Sequence, residues 1–278
     1  MSFSYVWGNR FKKFIDNPQA IIPFIKKRVY YNFIADNQLP YYKDFKYKNY
    51  EETIDDLIEN NKSLVRFGDE LFDMLQGIGL YFGTWRQKYD PLLAEKMKEV
   101  ISSHDPRLLV AFNPEFILKT KQEFKDVGIP EQYQFWTNSK MFLKDYYHKD
   151  MVYGSALCFN PQFNKHINFD KILSFFKRKH IIIVSSRIDR FKNVHLGITT
   201  DFIECPESDS WDKYDEIKQK VLSLIEEKGY TEQDTLILMS MSSAGKVLVY
   251  ELTKRGYTSW DTGQFFDLAF KEITTRST

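Results

Sequence analysis

Apolar and polar positions recur along this chain with two periods, and the switches between them mark its elements. "YEETIDDLIENN" sets Ile54, Leu57 and Ile58 on one face of a helix. "SLVRFG" is a short, mostly apolar run that predicts a strand, and "DELFDMLQG" opens the next helix. "YDPLLAEKMKEVISS" carries its own start signal, with Asp90 at the N-cap and Pro91 at the first helical position. "RLLVAF" reads as a strand and "EQYQFWTNSKMFLKDYYH" as a helix, while "VYGSALCF", "HIIIVSS" and "DFIEC" read as strands. "SWDKYDEIKQKVLSLIEEKG" predicts a long helix whose inner side holds Trp211, Tyr214, Ile217, Val221, Leu222 and Ile225. Strand "TLILMSM", turn "SSAG", helix "KVLVYELTKRG", strand "YTSWD" and a closing helix from about Gln264 complete the pattern. Strands that alternate with helices, several of them apolar throughout, predict an α/β fold. It is Rossmann-like, a mostly parallel sheet with helices on both faces.

Residues 1–50 lack this regularity. "IIPFIKKRVYYNFIADNQLPYYKDFKYKNY" is basic and aromatic with no clean period, so the expected organisation is an extension over 1–50 and one domain over 51–278. The extension holds nine Lys/Arg against three Asp/Glu, whereas the whole chain has a net charge of +1. Two readings stand: its aromatics pack on the main domain, or it forms a surface that meets an anionic membrane or a partner protein. The small net charge argues against bulk attraction to nucleic acid. Cys158 and Cys205 lie far apart in no metal-ligand spacing, as suits a reducing cytoplasm. There is no signal-peptide pattern and no apolar stretch of roughly 18 residues. The expected location is cytoplasmic, with peripheral membrane contact through residues 1–50 as its variant.

In open α/β sheets, ligands bind beyond the carboxyl ends of the strands, and four stretches carry candidate chemistry there. In "LILMSMSSAGKVLVYEL" a strand runs through Ser242, Ser243 and Gly245 into a helix, with Lys246 adding a charge. Small residues and free helix N–H groups suit an anion, although such a turn is also an ordinary strand-to-helix connection. In "IIIVSSRIDRFKN" Arg187 and Arg190 offer bidentate contacts to phosphate, or form a solvated basic loop. In "SLVRFGDELFDML" Asp69 and Glu70 follow Gly68, with Arg66 just before it. They are either favourable first-turn carboxylates or ligands that hold Mg²⁺ or Mn²⁺ against a diphosphate. In "SWDTGQFFDLAF" Asp261 ends a strand as a cap or faces a cleft, and Asp267 falls in the closing helix.

His104, His148, His166, His180 and His195 form no H-E-x-x-H pair, and neither G-x-S-x-G nor G-x-G-x-x-G occurs. A zinc enzyme, a serine hydrolase and a dinucleotide oxidoreductase all lose ground. Three stretches together resemble the GT-D-fold glycosyltransferase family, first described as a bacterial domain of unknown function. They are "YEETIDDLIENNKSLVRFGD", "DFIECPESDSWDKYDEI" and "SSAGKVLVYELTKRGYTSWDTGQ", and the resemblance covers about residues 50–272.

The resemblance implies transfer of a sugar from a nucleotide-sugar donor, typically UDP-linked, onto a bacterial glycan or glycoprotein acceptor. Asp69 matches the family's functional aspartate. The family's next carboxylate would fall at Leu71, and Glu70 stands one residue early. A Mn²⁺ or Mg²⁺ site therefore needs Glu70 or Asp73 as a substitute. Otherwise Arg187, Arg190 and Lys246 neutralise the diphosphate without metal, or the protein binds without catalysing. On this reading Asp69 orients the donor, Arg66 holds the strand end, and Arg187, Ser242, Ser243, Gly245 and Lys246 contact the diphosphate. Asp261 or Asp267 is the candidate general base for the acceptor hydroxyl. Two further departures are "IDRFKNVHLG" where the family has a glycine-rich turn, and Gln264 where it often has His. The alternative is a non-catalytic nucleotide-sugar or glycan-binding subunit of a glycosylation complex.

Overall fold

The structure, a computed structural model, describes residues 14–82, 85–187, 200–263 and 265. By its contacts the chain divides into two compact units interleaved in sequence. The first comprises Met1–Tyr47, Phe67–Ser103 and Phe112–Tyr153, and the second Lys48–Arg66, His104–Ala111 and Gly154–Thr278.

Nine strands are present among the described residues. They are β1 (Ser63–Arg66), β2 (Leu80–Phe82), β3 (Trp85–Gln87), β4 (Leu108–Phe112), β5 (Gly154–Ser155), β6 (His180–Ser185), β7 (Thr200–Glu204), β8 (Thr235–Ser240) and β9 (Thr258–Asp261). The second unit is built on a seven-stranded sheet of order β5-β4-β1-β9-β8-β6-β7. From β4 across to β7 every neighbouring pair is parallel. Leu64, Val65, Ile181–Val184 and Leu236–Met239 are buried whichever way they point. A sheet covered on both faces needs such continuous apolar runs, and this is why alternation is missing from these strands.

Four helices of this unit are α1 (Tyr50–Glu59), α5 (Phe169–Phe176), α6 (Tyr214–Lys228) and α7 (Ser242–Lys254), numbered with the three of the first unit named below. Asn49 and Glu52 close a capping box at the start of α1. Ile54 and Leu57 of α1 and Phe175 and Phe176 of α5 join one core with Leu64, Leu238 and Trp260. Phe175 stacks on Trp260 at 5.3 Å, and the Trp260 indole N–H donates to the Lys62 carbonyl at 2.8 Å. The largest buried ring thus keeps its one polar group satisfied.

The first unit holds α2 (Asp69–Leu75), α3 (Pro91–Ile101), α4 (Tyr133–Phe142) and the antiparallel hairpin β2–β3. Asp90 caps α3, accepting from Leu93 N at 2.9 Å, as its sequence predicts. Phe45 stacks on Tyr153 at 5.2 Å, and both lie against Phe112. Lys140 is buried at 0% exposure. Its ammonium donates to the carbonyls of Ile117 (2.9 Å) and Lys119 and lies 3.4 Å from Asp36, so the buried charge is paired and bonded.

Two expectations are corrected. "VYGSALCF" is strand only at Gly154–Ser155. Ala156, Cys158 and Phe159 are buried turn residues, and a buried turn is as apolar as a strand. "SSAG" is not a turn ahead of a helix, because α7 already begins at Ser242. Helix α5 and the β2–β3 hairpin were not anticipated, each being short. The closing helix expected from Gln264, and with it Asp267, lies outside the described residues, as does Arg190.

Candidate functional site

In the second unit, β1 and β9 run parallel and adjacent, with Leu64 beside Trp260. That register carries Arg66 to the end of β1 close to Asp261 at the end of β9. Asp261 is 5% exposed and accepts from three groups. Lys246 Nζ lies 3.0 Å from Oδ2, Arg66 Nη2 lies 3.5 Å from Oδ1, and the Arg66 amide donates to Oδ2 at 3.4 Å. Burial opposes ionisation of this carboxyl, but Lys246 and Arg66 outweigh it and hold the group below the usual carboxylate range.

Lys246 comes from the second turn of α7. Its ammonium also donates to the Ser242 carbonyl at 3.3 Å. Ser242 takes φ 50°, a left-handed conformation that costs a non-glycine residue roughly 1–2 kcal/mol. Gly245 lies where an added Cβ would meet Met239 Cγ at 3.0 Å and Met241 Cβ at 3.2 Å, so its place in α7 is set by close packing on β8. Ser243 Oγ is buried without a hydrogen-bond partner.

Arg66 is held from two further sides. Its Nη1 donates to the Ala156 carbonyl at 3.0 Å. Gly263, at φ 51°, lies against the guanidinium, and a Cβ there would collide with Nη2. Ser240 Oγ donates to the Gly263 carbonyl at 2.9 Å and so fixes that approach. The Nε–H of Arg66 is buried without an acceptor. Two cations and one carboxylate therefore meet at the carboxyl ends of β1 and β9, leaving one surplus positive charge and one free donor. Arg187, beyond β6, stands apart from them in its bonding, its guanidinium paired with Glu207 at 2.9 Å with both side chains exposed.

The first unit holds the other predicted carboxylates. Gly68 is the N-cap of α2 and offers no side-chain cap, and Asp69 and Glu70 form its acidic first turn. The Glu70 carboxylate folds back over Gly68 so closely that a Cβ at 68 would fall on it. With φ at −85° the backbone there is open to any residue, and a side chain at 68 would only displace the flexible end of Glu70. Asp69 and Glu70 are hydrogen-bonded to one another. Burial first, and then the charge of Glu70, push the Asp69 carboxyl well above the usual range.

Asp73 is engaged elsewhere: Lys27 Nζ and Asn138 Nδ2 each donate to its Oδ1 at 2.7 Å. Leu71 is 1% exposed and packs inward with Phe72, Met74 and Leu75. Neither Lys27 nor Asn138 was singled out from sequence, because no local signal links residues 27, 73 and 138.

The donor set bears on a divalent ion. Among the described residues no group of three or more His, Cys, Asp or Glu side chains is placed to hold a metal. Two carboxyls in mutual contact, with Asp73 committed, fit a hard cation that takes its other ligands from water and phosphate oxygens, as Mg²⁺ commonly does. They do not make a closed protein cage.

A sequence model of the family described as "Glycosyltransferase GT-D fold" matches residues 64–270. The chain is 26% identical over 234 residues to "Glycosyltransferase GlyD" of Streptococcus pneumoniae, covering 78% of this chain and 26% of that protein. It is 25% identical over 267 residues to "Probable glycosyl transferase Gly" of Streptococcus gordonii, covering 89% of this chain and 35% of that protein. The chain thus spans about a quarter to a third of the length of these curated relatives. Among solved structures, it is similar to "The highly conserved domain of unknown function 1792 has a distinct glycosyltransferase fold". The TM-score is 0.68 at 20% identity, covering 88% of this chain and 86% of that one. It is also similar to "A New Glycosyltransferase (DUF1792) from Streptococcus sanguinis", with TM-score 0.58 at 24% identity over 80% and 82% of the two chains. At these identities the likeness to solved structures shows a shared fold.

Proposed function

The chain belongs to the glycosyltransferase GT-D fold family, and on that premise we propose that it transfers a sugar from a UDP-linked donor to a glycan or glycoprotein acceptor. The observation that carries this reading is the buried, unpaired Nε–H of half-buried Arg66 beside the surplus charge of the Lys246–Asp261–Arg66 cluster. A buried guanidinium donor without an acceptor favours an anionic ligand oxygen. The donor diphosphate is the anion this reaction class presents.

In this proposal Arg66 and Lys246 bind the diphosphate and stabilise the charge that develops as the sugar leaves. Asp261 holds both cations in place. A carboxylate that is ionised and doubly paired is a weak proton acceptor, so its role here is positioning. The role of general base then falls to Asp267, on the strength of the sequence alone. In the first unit, Asp69 and Glu70 would hold Mg²⁺ or Mn²⁺, which when bound would supply a hard Lewis acid for oxygen ligands.

Thermal-shift titration with UDP, UDP-glucose and GDP-mannose, each with Mn²⁺ and with EDTA, tests the reading. A ligand that binds only the folded state raises its melting temperature. A UDP shift lost in Arg66→Gln supports the assignment, and no shift with any nucleotide sinks it. The inward packing of Leu71 favours a second reading, a subunit that binds nucleotide-sugar or glycan without turnover. A UDP shift without release of UDP from the donor in the presence of acceptor extracts would support that one.

A further inference from the structure

The helical run that opens the first unit is apolar on two sides. It passes from Pro18–Ala20 through Ile21–Ile25 and a π-helical stretch, Lys26–Tyr31, to Asn32–Ile34. One side is occupied: Ala20 and Lys27 are buried, Lys27 pairs with Asp73, and Tyr31 meets Phe142 edge-on at 5.6 Å. The other side carries Ile22, Ile25, Val29 and Phe33 at helical spacing, with Ile15 before them. These five are between 54% and 78% exposed. Single exposed apolar residues are ordinary, but a continuous stripe of large ones marks a contact surface.

The charge along the middle of the stripe is basic, with Asp16 and Asp36 only at its two ends. Residues 17–35 contain Lys26, Lys27 and Arg28 and no Asp or Glu. Lys26 and Arg28 are exposed, and Arg28 lies over the Phe24 ring and bonds Gln134.

We propose that this face docks on an anionic lipid bilayer. Ile22, Ile25, Val29 and Phe33 enter the boundary between headgroups and acyl chains, and Lys26 and Arg28 meet lipid phosphates. A second copy of the same face would set cations against cations, which disfavours self-pairing. A bilayer accepts a convex helical ridge without a matching pocket, and its negative surface potential attracts the basic residues. No described helix is long and apolar enough to cross a membrane, so the contact is interfacial. This inference stands apart from the transferase reading and uses none of its residues.

Vesicle sedimentation of the full 278-residue chain tests it. The chain is expected to partition onto phosphatidylcholine–phosphatidylglycerol vesicles at least about tenfold more than onto phosphatidylcholine alone. Raising the salt to 0.5 M should erase most of that preference. The triple variant Ile25→Ser, Val29→Ser, Phe33→Ser should lose at least about tenfold in partition, with an unchanged circular dichroism spectrum. Should the triple variant misfold, Phe33→Ser alone, at the most exposed of the three, serves in its place. A wild-type chain that stays in the supernatant, or a variant that binds as well as wild type, overturns the proposal. So does a concentration-dependent dimer in sedimentation velocity that the variant abolishes, since the face would then be an interface between copies.

Discussion

Lys246 Nζ lies 3.0 Å from Asp261 Oδ2 with both side chains less than a tenth exposed, so a buried pair joins the second turn of α7 to the end of β9. Such a pair is weak evidence of stability, because desolvation offsets much of the attraction. Its consequence is asymmetric. Removing one partner leaves the other charged and buried, whereas removing both need cost little.

Asp261→Asn should therefore destabilise the protein by about 3–5 kcal/mol, since Lys246 and Arg66 are left facing one another. Lys246→Met in the same background should restore part of that loss. Urea unfolding of the two single variants and the double variant measures the coupling directly.

The same carboxyl sets an acid limit. Its folded-state pKa is lowered, so the stability it brings is fully present above the pKa of an unfolded aspartate, about 3.9. That stability is lost as pH falls through the lower, folded value. Wild type should lose stability more steeply than Asp261→Asn below about pH 4, which unfolding curves at stepped pH will check.

Asp69 has the opposite sign. Its folded pKa is raised, so the native state holds the proton longer than the unfolded chain, and stability falls as pH climbs from the unfolded value to the folded one. Asp69→Asn should raise the melting temperature at pH 7 by about 2–4 °C and flatten this dependence. The variant should also lose any Mn²⁺-induced shift, because neutralising the pair removes what a cation would relieve. Calorimetry at pH 5 and 7, with and without Mn²⁺, tests both statements.

Lys140 titrates at the alkaline end. Burial pushes its pKa down to about 8, against the partial support of Asp36. Between that value and the ordinary lysine value the unfolded chain binds more protons, so wild-type stability should rise with pH relative to Lys140→Met. The difference approaches on the order of 3 kcal/mol by pH 10 to 10.5. A difference between the two proteins that stays flat from pH 8 to 10.5 would contradict this.

Gly263 and Gly229 both have positive φ, but only Gly263 has a side chain in its way. Gly229→Ala meets open space and should cost about 1 kcal/mol from backbone strain alone. Gly263→Ala should cost more, since Arg66 must move aside, and on the proposed function it should also weaken UDP binding. Parallel melting and UDP titrations of the two variants separate strain from displacement.

The sheet was legible because its strands declare themselves. "HIIIVSS" and "TLILMSM" can only be buried on both faces, and α3 announces its start with Asp90 and Pro91. "VYGSALCF" was misread because burial and not period makes it apolar, and local pattern cannot tell a buried turn from a strand. For the candidate site, the residue types at the strand ends were readable: Arg66, Asp69, Ser242, Lys246 and Asp261 all stood out. Their grouping was not. That Arg66 and Lys246 converge on Asp261 follows from β1 and β9 lying side by side though 195 residues separate Arg66 from Asp261. That Asp73 is taken by Lys27 follows from packing across 46 residues.

The exposed stripe shows the same division. The composition of residues 1–50 made a basic, apolar surface readable, but no period separated one face from the other. Local sequence determines where strands and helices form, because propensity and burial period act over a few residues. Which charges end up paired, and which apolar face is left to solvent, is decided only when distant segments pack. Burial and electrostatic compensation depend on neighbours that the chain brings together in space.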